Sequence, residues 1–168
     1  MTNKIILLFL FFSLTSVAQT NWKSSKYSYA IEIPKGFTVS NSTGANVDFK
    51  ANNGKNSIVI VVKTIPKEYA NSSIWDIIGN LNTFGEEWEA GAKEFLPEPR
   101  FKKLGKTTLS NLQTFWYDYT TENPQQSSKT YQLKKGVILY TITLTCELRD
   151  LNYFSPIWFR FKDKIIIK

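Results

Sequence analysis

The 168-residue sequence contains no histidine and only one cysteine, Cys146. Zinc, copper and iron sites in proteins take most of their ligands from His and Cys, and serine and cysteine hydrolases mostly use His as the base. The sequence also lacks a glycine-rich phosphate-binding loop and the nucleophile elbow of hydrolases. These absences exclude several large classes of enzyme, and we expect a protein without catalytic residues, cofactor or metal.

The single thiol cannot form an intramolecular disulfide. Cys146 ends an alternating apolar pattern that it shares with Ile142 and Leu144, which indicates the buried face of a strand. A thiolate nucleophile needs a basic partner, and the sequence offers no histidine for that role. We therefore expect Cys146 to be buried and unreactive.

The N-terminus has the three parts of a secretory signal peptide. Lys4 precedes an apolar run at residues 5–14, and the small residues Ser16 and Ala18 follow. The run is about half of the roughly 20 residues that a membrane span needs. We expect a signal peptide at 1–18, a flexible arm at 19–26 and a single domain at 27–168, in a bacterial protein exported to the periplasm or beyond, without a transmembrane segment after cleavage.

Four strand-like runs dominate the middle of the chain. Their residues are 101–109, 112–120, 128–135 and 137–146. Ser110-Asn111 and Lys135-Gly136 suit tight reversals between antiparallel strands, and bulky residues occur on both faces of the second and fourth runs. This pattern predicts an α+β fold in which helices or loops cover both faces of the sheet.

Two helices are predicted to provide that cover. Ser73 is a good N-cap, and apolar residues then recur every three or four positions, which predicts one long amphipathic helix at about 72–90. A second pattern predicts a short C-terminal helix at about 151–163. The apolar stripe of the first helix consists of Ile74, Ile77, Ile78, Leu81, Phe84 and Trp88.

Acidic residues cluster near the end of the first predicted helix. They are Glu86, Glu87, Glu89 and Glu94. Paired carboxylates can act as acid and base or can bind calcium, but the residue pattern of a calcium loop is missing. We interpret the cluster as a solvated helix end, and a carboxylate-dependent enzyme is the least favoured hypothesis.

The formal charge of +7 raises the question of a basic binding surface. The paired lysines Lys102 and Lys103 begin the first strand of the central run, whereas Lys134 and Lys135 lie at a later hairpin tip. In an up-and-down meander these pairs fall at opposite ends, so we expect no nucleic-acid-binding patch. The four lysines are our candidate partner-binding residues, and the alternative is that they solvate strand ends and protect sheet edges.

The order of elements resembles that of the PsbP-like superfamily, which includes the extrinsic photosystem II subunit, a Ran-binding import factor and many bacterial envelope proteins. The resemblance lies in Tyr29-x-Ile31-x-Ile33-Pro34-x-Gly36-Phe37, in the four-strand meander and in Phe154-x-x-Ile157-x-x-x-Phe161. It implies an α/β/α sandwich around a twisted, mostly antiparallel sheet of about six to seven strands. It also implies a binding or accessory protein, and it transfers no functional residue.

Three functional hypotheses follow. The first is an exported, non-enzymatic accessory protein that recognises an envelope or extracellular partner protein through an edge or loop of its sheet. The second is a carrier for an apolar ligand such as a lipid, because 22 aromatic residues remain once Phe9, Phe11 and Phe12 leave with the signal peptide. The third is the carboxylate-dependent enzyme.

Overall fold

The computed structural model describes residues 21–41 and 44–168, and the predicted signal peptide lies outside these ranges. Within the predicted arm, Asn21–Lys23 form strand β1, which pairs with β2 (Tyr29–Glu32). The strand β10 (Ile165–Ile167) pairs with the other side of β2. These three antiparallel strands form a small sheet that joins the two ends of the described chain.

The main sheet has seven antiparallel strands in the order β3-β4-β5-β9-β8-β7-β6. Strands β6 to β9 are the predicted meander, and β5, the Val- and Ile-rich run, is interior to the sheet because it pairs with both β4 and β9. The edges are β3 and β6. The strands are β3 (Thr38–Val39), β4 (Val47–Asn53), β5 (Asn56–Thr64), β6 (Arg100–Leu109), β7 (Leu112–Thr121), β8 (Gln126–Lys135) and β9 (Ile138–Glu147).

The hairpin between β6 and β7 has the predicted two-residue turn. Ser110 and Asn111 have φ angles of 51° and 62°, the left-handed values that a type I′ turn requires at both central positions. The turn sets the register of the hairpin, with Leu109 opposite Leu112.

One helix was predicted at about 72–90, and the structure has two, α1 (Ile74–Ile78) and α2 (Phe84–Ala92). The break follows from Gly79, whose φ of 81° and ψ of −142° lie far from helical values. The predicted N-cap is confirmed, since the Ser73 side chain and the Asp76 carboxylate form a capping box. The predicted C-terminal helix is also confirmed, as α3 (Leu151–Phe161).

The helices lie on both faces of the main sheet and bury two apolar clusters. The larger cluster lies between one face of the sheet, the small sheet and α3, and it includes Phe154, Trp158 and Phe161. The smaller cluster lies on the opposite face, where α1 and α2 pack over Phe115 and Tyr117. This arrangement confirms the predicted α/β/α sandwich and explains how a chain of this size covers a seven-stranded sheet.

Cys146 is buried in the larger cluster, as predicted. Burial raises the pKa of its thiol to about 12, and the nearby Asp150 carboxylate adds to the effect. A thiol with such a pKa is protonated at neutral pH and is a poor nucleophile.

None of the helices within residues 21–41 and 44–168 combines the length and the apolar character of a membrane span.

Candidate functional site

A cleft of about 410 Å³ lies between α3 and the strands β6, β7 and β8, and we call it the α3 cleft. It combines basic and aromatic side chains around one carboxylate. The ammonium groups of Lys103, Lys129 and Lys162 with the Asp118 carboxylate leave a formal excess of two positive charges, because the ammonium of Lys106, which also lines the cleft, lies 4.7 Å from the Trp75 ring centroid on the other face of the sheet. Its lining residues are Lys103, Lys106, Thr107, Trp116, Asp118, Lys129, Tyr131, Ser155, Phe159 and Lys162.

The floor of the α3 cleft follows from the register of three neighbouring strands. Lys103 lies opposite Asp118, and Asp118 lies opposite Lys129, so these charged residues form one row across the sheet. Two residues further along, Trp116 pairs with Gly105 on one side and with Tyr131 on the other. Side chains two residues apart on a strand share a face, so the charged row and the aromatic row both point towards α3.

The charged row is built around Asp118. Its carboxylate accepts a hydrogen bond from Lys129 Nζ at 2.5 Å and lies 3.6 Å from Lys103 Nζ. The side chains of Asp118 and Lys129 are only 18% and 19% exposed. Burial lowers the pKa of the Lys129 ammonium, and the hydrogen bond and charge of Asp118 oppose that shift. One carboxylate therefore serves two ammonium groups, which leaves net positive charge in the cleft.

The aromatic row is shaped by Gly105. A Cβ atom at this position would lie 2.6 Å from Cζ2 of Trp116 and 2.8 Å from its Nε1, so the indole ring lies directly across the glycine. The Lys129 ammonium lies 3.9 Å from the centroid of the same ring, within the range of a cation–π contact. The small residue in β6 thus lets an aromatic ring from β7 extend over the edge strand.

The side of the α3 cleft that faces the sheet is formed by one face of α3. Ser155 and Phe159 lie in α3 and Lys162 is its C-cap residue; their intervals of four and three residues place them on one side of the helix. Phe159 is 65% exposed, and Lys162 Nζ lies 4.9 Å from the centroid of its ring. The wall therefore presents an exposed aromatic ring beside a positive charge.

The predicted partner-binding lysines lie in different places. Lys103 lines the α3 cleft, and Lys102 is exposed at an irregularity of β6. Lys134 donates hydrogen bonds to the carbonyl oxygens of Ala70 and Ser72, at 2.9 and 2.7 Å. The amino group of Lys134 thereby ties β8 to the segment that leads into α1.

Lys135 is exposed next to the turn that joins β8 to β9. Lys103 shares its row with Lys129, which precedes Lys134 by five residues on β8. At about 3.3 Å per residue, the two lysine pairs are separated by roughly 16 Å along the strands. The structure does not bring them together, and their role in partner binding stays a prediction.

Of the ten residues that line the α3 cleft, only Lys103 was a candidate from the sequence, and the other nine, among them Trp116, Lys129 and Phe159, were missed. Alternation along β7 does place Trp116 and Asp118 on one face, and this was the available signal. The position of α3 over that face has no local signal, because it depends on how the chain packs after β9.

The acidic cluster has a structural role at one position. Glu89 Oε1 accepts a hydrogen bond from the backbone N–H of Phe101 at 2.6 Å, which connects α2 to the start of β6. Glu86, Glu87 and Glu94 are exposed, as predicted for a solvated helix end. Within the described ranges, no three His, Cys, Asp or Glu side chains are grouped so that they could hold a metal ion.

No protein-family model matches the sequence, and no curated protein resembles it in sequence. Similarity to solved structures is clear. The cyanobacterial PsbP (CyanoP) of Synechocystis sp. PCC 6803 matches with a TM-score of 0.68 and 10% sequence identity, over 89% of this chain and 92% of that one. The chain has a PsbP-like fold.

A second structure extends the comparison. LpqN, which is involved in cell envelope biogenesis of Mycobacterium tuberculosis, matches with a TM-score of 0.57 and 5% identity, over 90% of this chain and 86% of that one. These matches confirm the resemblance that the order of elements predicts. At such low identity a PsbP-like fold specifies the architecture, and function has to be argued from the residues of this chain.

Proposed function

We propose that this protein is an exported, non-enzymatic accessory protein that binds a partner protein of the bacterial envelope or the extracellular space through the α3 cleft. The observation that carries the proposal is the combination of excess positive charge with an exposed aromatic ring, Phe159, in one cleft. Aromatic residues that become buried at the centre of a contact, with charged residues around them, are typical of protein interfaces.

The charge of the α3 cleft favours an acidic partner. Lys103 and Lys162 stand on opposite walls, and Asp118 neutralises only part of the charge between them. A carboxylate entering the cleft would meet ammonium groups from both the sheet and α3. Electrostatic complementarity of this kind raises the association rate and selects acidic over basic partners.

Two further observations support a non-enzymatic role. Burial lowers the pKa of the Lys129 ammonium, but its nitrogen is held by the Asp118 carboxylate and lies over the Trp116 ring, and both contacts favour the charged form. Cys146 is buried away from the cleft with a raised pKa. The thiol is thus held in an unreactive state, and the Lys129 amine is engaged by its ion pair.

Export is proposed from the predicted signal peptide at 1–18. The similar structure of LpqN, a protein involved in cell envelope biogenesis, supports the same location. The alternative of a carrier for an apolar ligand fits the structure less well. Most aromatic side chains pack against each other in the two apolar clusters, and lysines surround those that line the α3 cleft.

The proposal is tested by affinity capture from a bacterial envelope extract with the mature protein as bait. The test variant is Phe159→Ser with Lys162→Glu, which changes two solvent-accessible residues of the α3 cleft. The matched control is Phe95→Ser, because Phe95 is even more exposed, at 82%, and follows α2 on the other face of the sheet.

Wild type and the control should retain the same acidic partner at low salt, and the double variant should lose it. High salt should weaken the capture, since the charges are accessible to solvent. Equal recovery by all three proteins would place the interface elsewhere. Failure to recover a partner at any salt concentration, or copurification of an apolar ligand seen by native mass spectrometry, would refute the proposal.

A further inference from the structure

The edge strand β6 has an open stretch beside the α3 cleft. The start of β6 is covered by α2, because the Glu89 carboxylate accepts a hydrogen bond from the backbone N–H of Phe101 and the Phe101 ring packs against Gly85. From Lys103 to Thr108 the strand is exposed or half-exposed. In the described part of the chain, no hydrogen bond outside the ladder with β7 involves this stretch.

The hairpin geometry determines which backbone groups face the open side. In a two-residue hairpin the residues that flank the turn exchange hydrogen bonds, here Leu109 and Leu112, and every second residue along the ladder does the same. The intervening residues Leu104, Lys106 and Thr108 therefore direct their N–H and C=O groups away from β7. They offer three donors and three acceptors over about 13 Å, at roughly 3.3 Å per residue.

The side chains around this edge favour one class of strand. Lys102, Lys103 and Lys106 lie on it, so pairing with β6 of a second copy would bring lysines against lysines. On one face the Trp116 ring lies across Gly105. On the other face Lys106 Nζ lies 4.7 Å from the Trp75 ring centroid. An added strand would thus meet an indole ring on each face and ammonium groups along its length.

We propose that the open edge of β6, from Leu104 to Thr108, binds an extended acidic segment of the partner as an eighth strand of the main sheet. Backbone hydrogen bonds to β6 supply affinity, as in other cases of strand addition. Carboxylates on alternate residues of the segment reach Lys103 and Lys162 on the α3 side. This inference rests on the proposed function and names the partner segment and its mode of binding.

The test uses a blocked peptide of about nine residues that alternates Glu with Val, long enough to span the edge at roughly 3.3 Å per residue. Binding is measured by calorimetry, and the amide exchange of Leu104, Lys106 and Thr108 is followed by NMR. Two further peptides carry N-methyl groups on alternate residues, one at the odd and one at the even positions. A fourth peptide has Lys in place of Glu.

We expect the Glu peptide to bind and to protect the three edge amides. One N-methylated peptide should lose affinity by about tenfold or more, because its donors face β6, whereas the other should bind like the parent. Lys103→Gln should reduce affinity and its salt dependence, because Lys103 lies on the face that the carboxylates reach. Lys106→Pro, which removes an edge N–H, should also reduce affinity. Circular dichroism verifies that both variants fold.

Several results would overturn the inference. The Glu peptide does not bind, or the Lys peptide binds equally well. The two N-methylated peptides have equal affinities, or self-association already protects the edge amides without any peptide. Suppose that all four peptides bind with equal affinity, but that Phe159→Ser with Lys162→Glu abolishes capture of the envelope partner. Strand addition is then wrong and the proposed function stands. If strand addition is observed but envelope capture fails, the accessory role is wrong instead.

Discussion

A single methyl group added at Gly105 tests how the aromatic floor of the α3 cleft is built. The new Cβ would lie 2.6, 2.7 and 2.8 Å from Cζ2, Cε2 and Nε1 of Trp116, closer than side chains pack in folded proteins. The indole would have to move by several tenths of an ångström, which would disturb its contact with Lys129. Gly105→Ala is therefore predicted to strain a packed position.

The predicted magnitude is a balance of two effects. Overpacking of this kind costs about 1–3 kcal/mol, whereas replacing glycine restricts the unfolded chain and returns about 0.4–1 kcal/mol. Gly105 does not have a left-handed φ, so backbone strain does not add to the cost. We expect a net loss of about 1–2 kcal/mol in the free energy of unfolding.

The assay is urea unfolding followed by circular dichroism, on wild type, Gly105→Ala, Trp116→Val and the double variant. Without the indole, the added methyl should be neutral or stabilising, so the cycle should give a coupling energy of about 1 kcal/mol or more. A coupling below about 0.5 kcal/mol, or a Gly105→Ala protein more stable than wild type, would show that Trp116 does not occupy this position.

Three further predictions concern stability and reactivity. Lys134→Ala should lower the free energy of unfolding in urea by about 1–2 kcal/mol, because two backbone carbonyls lose their charged donor. The control Lys135→Ala should change it by less than about 0.5 kcal/mol, and equal effects of the two substitutions would contradict the prediction. Ser73→Ala should lower Tm at pH 7. The loss should shrink below pH 3.8 as Asp76, whose pKa is lowered by its hydrogen bonds to Ser73, becomes protonated; a pH-independent loss would exclude the capping box. Cys146 should react with a thiol reagent at pH 8 only after unfolding in urea, and rapid labelling of the native protein would refute its burial.

The meander and the turn between β6 and β7 were predictable because their signals are local. The turn between β8 and β9 was predicted at Lys135-Gly136 and lies one residue later, at Gly136-Val137. Alternation along β9 identifies the buried face that ends at Cys146, and Ser110-Asn111 marks a hairpin wherever the rest of the chain lies. The cap at Ser73 is local in the same way. These elements in order were also enough to predict the PsbP-like fold.

The break between α1 and α2 was not predictable from the same pattern. The apolar stripe continues at intervals of three and four through Leu81 to Phe84, so it reads as one helix. A glycine inside a helix costs only about 1 kcal/mol, and packing decides whether the helix continues. Here the chain leaves the helical path at Gly79, and residues from both halves of the stripe still pack against β6, β7 and β9.

The sequence by itself thus determined the strands of the meander, the turn between β6 and β7, the helix cap and the burial of Cys146, because each depends on neighbours within a few residues. Only the tertiary structure decided the α3 cleft. Lys103, Asp118 and Lys129 meet through strand register, and Phe159 and Lys162 join them through the docking of α3. Contacts between residues so distant in sequence form because apolar surfaces pack together, and no local pattern encodes which polar side chains that packing brings into one cleft.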